Sequence, residues 1–260
     1  MEQEPKFVAF NLDGFNHIDQ MVSSLLKETI IYMNKSVQID PSGYNKLSGS
    51  DVEKLSLKSL KEIAPTINFP PDRIELISGH IFPDILLHKT KYGVEIKSTQ
   101  KDAWTSTGSS IVESTRDKDA ERIYMLFGKL GGQPEFRCKP YQLCLSNIAV
   151  THSPRYLIDM NLTSDSNIFA KMNTDYEVFR HLDEGKKISC VRQYYIKKAK
   201  AEKKYEMPWW MGETTNVNLS FYNDLPASEK NILQAKACIL FKSLYQKDIR
   251  NRYRPISLDR

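Results

Sequence analysis

Three charged residues lie in a stretch of sequence that otherwise has the character of two apolar strands joined by a polar turn. The stretch is FPDILLHKTKYGVEIKS, residues 82–98, and its charged residues of interest are Asp84, Glu95 and Lys97. If residues 88–91 form the turn, the strand register places Asp84 directly opposite Glu95. Like charges that face each other across paired strands are destabilising, by up to about 1 kcal/mol. The pairing therefore calls for a compensating charge.

A divalent metal ion would provide that charge. Mg²⁺ prefers hard oxygen ligands and commonly takes only one or two carboxylates, with water and phosphate oxygens at its other positions. Side chains alternate between faces along a strand, so Lys97 shares a face with Glu95, where it could orient or deprotonate an attacking water. Val94 and Ile96 then point to the core. The alternative is that the acids are solvated strand ends and that Glu95 and Lys97 form a weak surface salt bridge.

Helical periodicity marks both ends of the chain. Apolar residues at helical spacing predict a long helix over residues 17–36. A second helix is predicted to begin at a capping box formed by Ser50 and Glu53. Further helices are predicted over residues 163–183 and 227–249.

Strand signals lie between these helices. Strands are predicted at residues 73–79, 80–88, 92–98, 122–130 and 142–152. The first three follow one another with short polar breaks, which is typical of an antiparallel meander. Residues 99–120 are rich in Ser, Thr and Asp and are predicted to form a loop that leads into a short helix. The sequence therefore predicts an α/β (α+β) fold, with a central mixed sheet that contains the meander and is flanked by helices.

The composition is that of a globular protein with a preference for polyanions. The chain has 260 residues, of which 40% are hydrophobic, enough for one domain with an appended lobe. Its 37 basic and 32 acidic residues give a net charge of +5, which favours a polyanionic partner. Apolar runs stay below the roughly 18 residues that a membrane span needs, so no membrane partner is expected.

The cysteines and the N-terminus favour a reducing, cytoplasmic setting. The N-terminal residues MEQEPKFVAF lack the basic flank and apolar core of a secretion signal. The cysteines show neither CxxC nor Cys/His metal-ligand spacing. They are Cys138, Cys144, Cys190 and Cys238.

The charged stretch also resembles a known family. Pro83 and Asp84, followed by the Glu-Ile-Lys run at 95–97, resemble the signature of the PD-(D/E)XK nucleases, a superfamily that includes most type II restriction endonucleases and several repair nucleases. The resemblance covers residues 74–99 and includes the strand context. It implies a restriction endonuclease-like core. It also implies that Asp84, Glu95 and the backbone carbonyl of Ile96 bind Mg²⁺, with Mn²⁺ as a possible substitute, and that Lys97 positions the attacking water.

Many members of that family add an acidic residue from a helix before the meander. Glu28 is the first candidate and Glu53 the second, although either pattern is also that of an ordinary solvated helix residue. Gln100 follows Lys97 closely and could contact the scissile phosphate. The Gln and Tyr pair of the exonuclease branches is not clearly found here, which favours an endonuclease.

A basic segment near the C-terminal end is a candidate DNA-binding surface. Between residues 185 and 207, eight basic residues stand against Glu202 and Glu206 and are interleaved with tyrosines, a pattern suited to phosphate contacts. The alternative is a solvated helix face. The basic residues are Lys186, Lys187, Arg192, Lys197, Lys198, Lys200, Lys203 and Lys204, of which Lys197, Lys198 and Lys200 are the chosen DNA contacts.

Three further stretches could contact bases. His152, Ser153 and Arg155 cluster at a turn that contains a proline and could direct Arg155 toward guanine edges, although a simple loop is the alternative. The Ser/Thr-rich run that ends in Arg116 ranks equally, because it follows the Glu-x-Lys strand directly. Trp209 and Trp210 lie side by side; one could contact a partner or a base step, whereas core packing explains at least one of them.

Taken together, these features predict a Mg²⁺-dependent, sequence-specific endonuclease of double-stranded DNA, of the type II restriction class. The predicted organisation is one nuclease domain over 1–260, with a catalytic core at 15–152, a recognition lobe at 153–223 and a C-terminal helix at 224–250. Cutting both strands needs two active sites, so a homodimer is expected. The alternatives are a repair or mismatch-type nicking nuclease with the same centre, and a DNA-binding module whose acids are only structural.

Overall fold

A computed structural model of the chain describes residues 5–77, 79, 81–150, 154–163, 165–202 and 226–240. By its internal contacts the chain divides into two units, residues 1–207 and residues 208–260. The helices of the first unit are α1 (His17–Ile39), α2 (Pro41–Tyr44), α3 (Gly49–Ile63), α4 (Ile168–Met172), α5 (Tyr176–Arg180) and α6 (Glu184–Glu202). In the second unit the structure describes one helix, α7 (Ala227–Leu240).

The strands of the first unit form two sheets. They are β1 (Ile74–Leu76), β2 (Ile85–Leu87), β3 (Tyr92–Thr99), β4 (Thr105–Ser110), β5 (Arg122–Lys129), β6 (Glu135–Pro140), β7 (Leu145–Val150) and β8 (Pro154–Asp159). The larger sheet has the order β1-β2-β3-β5-β6, in which only β3 and β5 run parallel. The smaller sheet has the order β4-β8-β7 and is antiparallel. The predicted class, a mixed sheet with an antiparallel meander and flanking helices, is confirmed.

Helices α1 and α3 cover one face of the larger sheet because each presents an apolar stripe to it. Leu25 and Ile30 of α1 pack in one core with Val94 and Ile96 of β3, and all four side chains are buried. Asn16 caps α1, with its side chain accepting a hydrogen bond from the Asp19 amide at 3.0 Å. Burial of this stripe, rather than intrinsic helix propensity, is what stabilises such a helix.

The opposite face of the larger sheet carries the contacts to the smaller sheet and the chain that follows it. The ring of Trp104 lies 5.9 Å from that of Phe127, and Lys139 donates a 2.8 Å hydrogen bond to the carbonyl of Met160 just beyond β8. Glu95 points to this face, since its neighbours Val94 and Ile96 point to the helices.

Several element boundaries differ from the prediction. Helix α3 is capped by Ser48 with Asp51, two residues earlier than the expected box of Ser50 and Glu53. Residues 99–120 contain strand β4 rather than a short helix, and residues 163–183 contain two short helices rather than one long one.

One boundary of the predicted division lies within the smaller sheet. The expected boundary at residues 152 and 153 falls between β7 and β8, which pair antiparallel, so the proposed core and recognition lobe share one sheet. Within the described residues no helix is long and apolar enough to cross a membrane.

Candidate metal centre

Asp84, Glu95 and Lys97 are brought together by the hairpin of β2 and β3. The register pairs Leu87 with Tyr92 and Ile85 with Val94, so that Asp84, the residue immediately before β2, lies opposite Glu95. This is the predicted pairing. Glu95 is 5% exposed although it is ionisable, which makes it an uncommon occupant of a buried strand position.

Hydrogen bonds hold Asp84 in place from both sides. Its carboxylate accepts a 2.7 Å hydrogen bond from the amide of Ile96 on β3, and its carbonyl accepts one of 2.8 Å from the amide of Ile77 beside β1. A charged acceptor strengthens the first of these bonds. The position of the carboxylate is therefore determined by backbone groups on two neighbouring segments.

Gly93 lets the segment before Asp84 approach β3 closely. A Cβ atom at this position would lie 2.3 Å from Cγ of Pro83, which is far inside van der Waals contact. Glycine is the only residue that avoids this overlap, and it does so here through its lack of a side chain.

The charges in the cluster are not balanced. Lys97 Nζ lies 2.7 Å from Glu95 Oε1, but two carboxylates share this one lysine, and Asp84 and Glu95 are close enough for a hydrogen bond when one of them is protonated. Burial raises the pKa of Glu95 to about 7, Lys97 opposes that rise and Asp84 adds to it. Burial alone would lower the pKa of Lys97, but the nearby carboxylates outweigh it and raise that pKa above its usual value.

Glu53, rather than Glu28, is the helix acid near this cluster. Burial and then the charge of Asp84 raise the pKa of Glu53, while Glu53 in turn helps to raise the pKa of Lys97. Glu28 is exposed on α1 and is not among the groups that act on Glu95 or Lys97. Sequence alone does not indicate which of Glu28 and Glu53 lies near the acids, because Glu28 is next to the buried Thr29 and Glu53 is next to the buried Val52.

The donor set fits a hard cation. Asp84 and Glu95 supply two carboxylates whose mutual repulsion a cation would relieve. The N–H and C=O of a strand residue point to the same side of the strand, so the carbonyl of Ile96 points to the side on which Asp84 lies. Within the described residues, no group of three or more His, Cys, Asp or Glu side chains is arranged to hold a metal ion. A pair is nevertheless sufficient for Mg²⁺, which keeps several of its positions for water and phosphate.

The residues predicted to contact DNA near the metal centre differ from one another in their environment. Gln100 follows β3 and donates a 2.6 Å hydrogen bond from Nε2 to the carbonyl of Leu47, just before α3. Arg155 is exposed on β8. His152 and Ser153 lie outside the described residues.

Arg116 lies inside the protein, in contrast to the expected surface contact. Its side chain is 10% exposed and forms a 2.7 Å ion pair with the carboxylate of Glu113. The guanidinium also donates to the hydroxyl of Tyr176 at 2.7 Å and to the carbonyls of Ala120 and Glu121 at 2.9 and 2.8 Å. The sequence did not predict this network of Glu113, Arg116 and Tyr176. No local pattern indicates it, because Tyr176 is remote in sequence from the other two residues.

Helix α6 carries the described part of the basic segment. Lys186, Lys197 and Lys200 are exposed, whereas Arg192 and Lys198 are partly buried. Lys187 is buried and donates a 2.9 Å hydrogen bond to the carbonyl of Val112, so this member of the predicted surface is internal. The remaining basic residues, Lys203 and Lys204, and the tryptophans Trp209 and Trp210 lie outside the described residues.

Comparisons of the chain with protein-family models, with curated proteins and with solved structures found no match. The function has therefore to be argued from the arrangement of the chain's own residues.

Proposed function

We propose that the protein is a Mg²⁺-dependent endonuclease that hydrolyses phosphodiester bonds in double-stranded DNA, in the manner of a type II restriction enzyme. The observation that supports this proposal is the adjacency of Asp84 and Glu95, two carboxylates with one shared lysine, on neighbouring strands. Such a pair costs stability in the free protein, and a bound cation would recover that cost.

Asp84, Glu95 and the carbonyl of Ile96 would hold the metal ion in this proposal. When bound, Mg²⁺ would stabilise the negative charge that develops on the phosphate. Asp84 is suited to this role because the Ile96 amide already orients its carboxylate at 2.7 Å. Glu53 lies close enough to interact electrostatically with Asp84 and Lys97 and so adds negative potential to the cluster.

Lys97 would orient the attacking water. Its Nζ is 2.7 Å from Glu95 and its side chain is 29% exposed, so it is anchored at one end and accessible to solvent. Since nearby carboxylates raise its pKa, Lys97 is protonated in the metal-free protein. A protonated amine donates hydrogen bonds and does not accept a proton, so positioning of the water is favoured over its deprotonation.

The exposed lysines of α6 would bind the DNA backbone. Lys186, Lys197 and Lys200 can reach solvent, and phosphate contacts of this kind supply affinity that does not depend on sequence. Cleavage of both strands requires two centres, so the active species in this proposal is a homodimer.

The test is a cleavage assay on unmethylated phage DNA, with Mg²⁺ and with EDTA. Wild-type protein should produce discrete bands with Mg²⁺ alone, and Asp84→Asn should produce none. Asp72→Asn is the matched control, since it makes the same change at an exposed carboxylate. Nicking of supercoiled plasmid without double-strand cuts would replace the proposal by a nicking nuclease. DNA binding that is indifferent to Mg²⁺, without cleavage, would replace it by a binding module.

A further inference from the structure

The residue that precedes Pro83 and Asp84 is held by a separate loop. Phe82 donates a backbone hydrogen bond of 3.0 Å to the carbonyl of Thr115 and accepts one of 2.7 Å from the amide of Asp117. Both backbone hydrogen-bonding groups of Phe82 thus have partners, and the residue is 4% exposed. Any movement of the 115–117 loop would be transmitted to the chain that carries Asp84.

Arg116 lies at the centre of that loop and holds it closed. Its guanidinium donates to the backbone carbonyls of Ala120 and Glu121, which follow the loop and precede β5, as well as to Glu113. The same group lies 5.8 Å from the ring centre of Phe82. Arg116 therefore contacts the clamped residue as well as supporting the loop that clamps it.

Tyr176 of α5 completes the network. Its hydroxyl accepts a 2.7 Å hydrogen bond from Arg116 and donates one of 3.0 Å to Glu113. Glu113 has a φ of 52°, a left-handed conformation that non-glycine residues adopt at an energetic cost, and both its backbone hydrogen bonds, to Ser110 and Arg116, and its side-chain contacts support that conformation. Lys187 of α6 secures the preceding residue through its bond to the carbonyl of Val112.

We propose that Glu113, Arg116 and Tyr176 form a positioning network that fixes Asp84 through Phe82, and that Tyr176 thereby contributes to metal affinity without touching the metal. The part of this inference that concerns the position of Asp84 depends on the chain alone. The part that concerns metal affinity rests on the proposed function. Residues that support metal ligands through hydrogen bonds commonly change metal affinity by about 10–100-fold when they are replaced.

The structure supplies a matched pair of variants. Tyr176→Phe removes a hydroxyl that bonds to both Glu113 and Arg116. Tyr156→Phe removes one that is buried in the same aromatic group but, among the described residues, has no hydrogen-bond partner. The two changes delete the same atom from buried tyrosines, so a general effect of losing a hydroxyl group appears in both variants.

The first measurement is amide hydrogen exchange at Ile96 in the metal-free full chain. The Ile96 amide donates directly to Asp84, so its protection reports whether the carboxylate is in place. We expect exchange about tenfold faster in Tyr176→Phe and unchanged in Tyr156→Phe, with the amides of β5 unchanged in both. Equal protection of Ile96 in the two variants, or faster exchange throughout β5 as well, would overturn the inference.

The second measurement is Mn²⁺ affinity by calorimetry, followed by the Mg²⁺ dependence of cleavage. Tyr176→Phe should bind Mn²⁺ about tenfold more weakly and need correspondingly more Mg²⁺ for half-maximal cleavage, with the maximal rate preserved. A variant that is merely less folded would instead lose maximal rate at an unchanged Mg²⁺ requirement, and that result would contradict the inference. Absence of Mn²⁺ binding in the wild type would remove the proposed function, while the Ile96 result would still decide the positioning role.

Discussion

Two largely buried charged clusters in the described part of the chain differ in how their charges are balanced. At Glu113 and Arg116, one carboxylate meets one guanidinium at 2.7 Å, and the remaining hydrogen bonds go to Tyr176 and to two backbone carbonyls. At Asp84 and Glu95, two carboxylates share the single Lys97. Burying charge is costly in both places, but Glu113 has an ion-pair partner of its own, whereas Asp84 and Glu95 share one. The second cluster is the one that a cation would complete.

The largest expected effects are a loss of stability at the Glu113–Arg116 cluster and a loss of cleavage at the Asp84–Glu95 cluster. Arg116→Met leaves Glu113 buried without its partner and should lower the free energy of unfolding by about 3–5 kcal/mol. Asp84→Asn keeps an acceptor for the Ile96 amide and removes a like charge from Glu95, so stability should change by less than about 1 kcal/mol. Cleavage by Asp84→Asn should nevertheless fall by at least about 10³-fold, equivalent to about 4 kcal/mol.

Chemical denaturation and the cleavage assay measure these two losses independently. Lys91→Met is the control for Arg116→Met, because its 2.6 Å ion pair with Glu121 is exposed and should contribute no more than about 1 kcal/mol. If Asp84→Asn were as destabilising as Arg116→Met, the acid pair would be structural and the contrast between the clusters would be lost.

A smaller effect concerns the pH dependence of stability in the metal-free protein. Burial and then Asp84 raise the pKa of Glu95 from 4.5 to about 7, against the opposing charge of Lys97. A carboxyl group with a raised pKa in the folded state contributes stability that is complete below about pH 4.5 and is lost as pH rises through about 7. Between about pH 5.5 and pH 8.5, wild-type protein should therefore lose about 2 kcal/mol more than Glu95→Gln, whose amide does not titrate.

Denaturation in EDTA at the two pH values measures this difference. Arg116→Lys, which changes the balanced cluster without adding a group that titrates in this range, should follow the wild-type pH dependence. If the free energy of unfolding depended on pH equally in wild type and Glu95→Gln, the pKa of Glu95 would not be raised in the folded protein.

The smallest expected effect shows which helix glutamate, Glu53 or Glu28, acts at the metal centre. Glu53→Gln should weaken Mn²⁺ binding by about three- to tenfold, because it removes negative charge beside Asp84 and Lys97. Glu28→Gln should leave binding unchanged, since that side chain is exposed on α1. Calorimetric titration of both variants measures the difference, and a larger effect at Glu28 would restore it as the candidate acid.

Local sequence predicted the strand hairpin because its register depends on few residues. A four-residue turn between two apolar segments leaves one pairing that buries Val94 and Ile96, and that pairing brings Asp84 opposite Glu95. No strand was predicted at β4, β6 or β8, and β4 shows the converse situation, in which the local sequence does not indicate a strand. The sequence TSTGSS of β4 is polar, and it is extended because β8 pairs with it.

The sequence by itself determined which chemistry is available and where it lies on the hairpin. Side-chain alternation along β3 puts Glu95 and Lys97 on one face, and this needs no knowledge of the rest of the chain. Tertiary structure alone decided that Glu53 lies near the acids, that Lys187 is internal, and that Arg116 is held by Tyr176. These contacts join residues far apart in sequence, and whether a charged side chain is buried depends on what packs over it, which no local pattern contains.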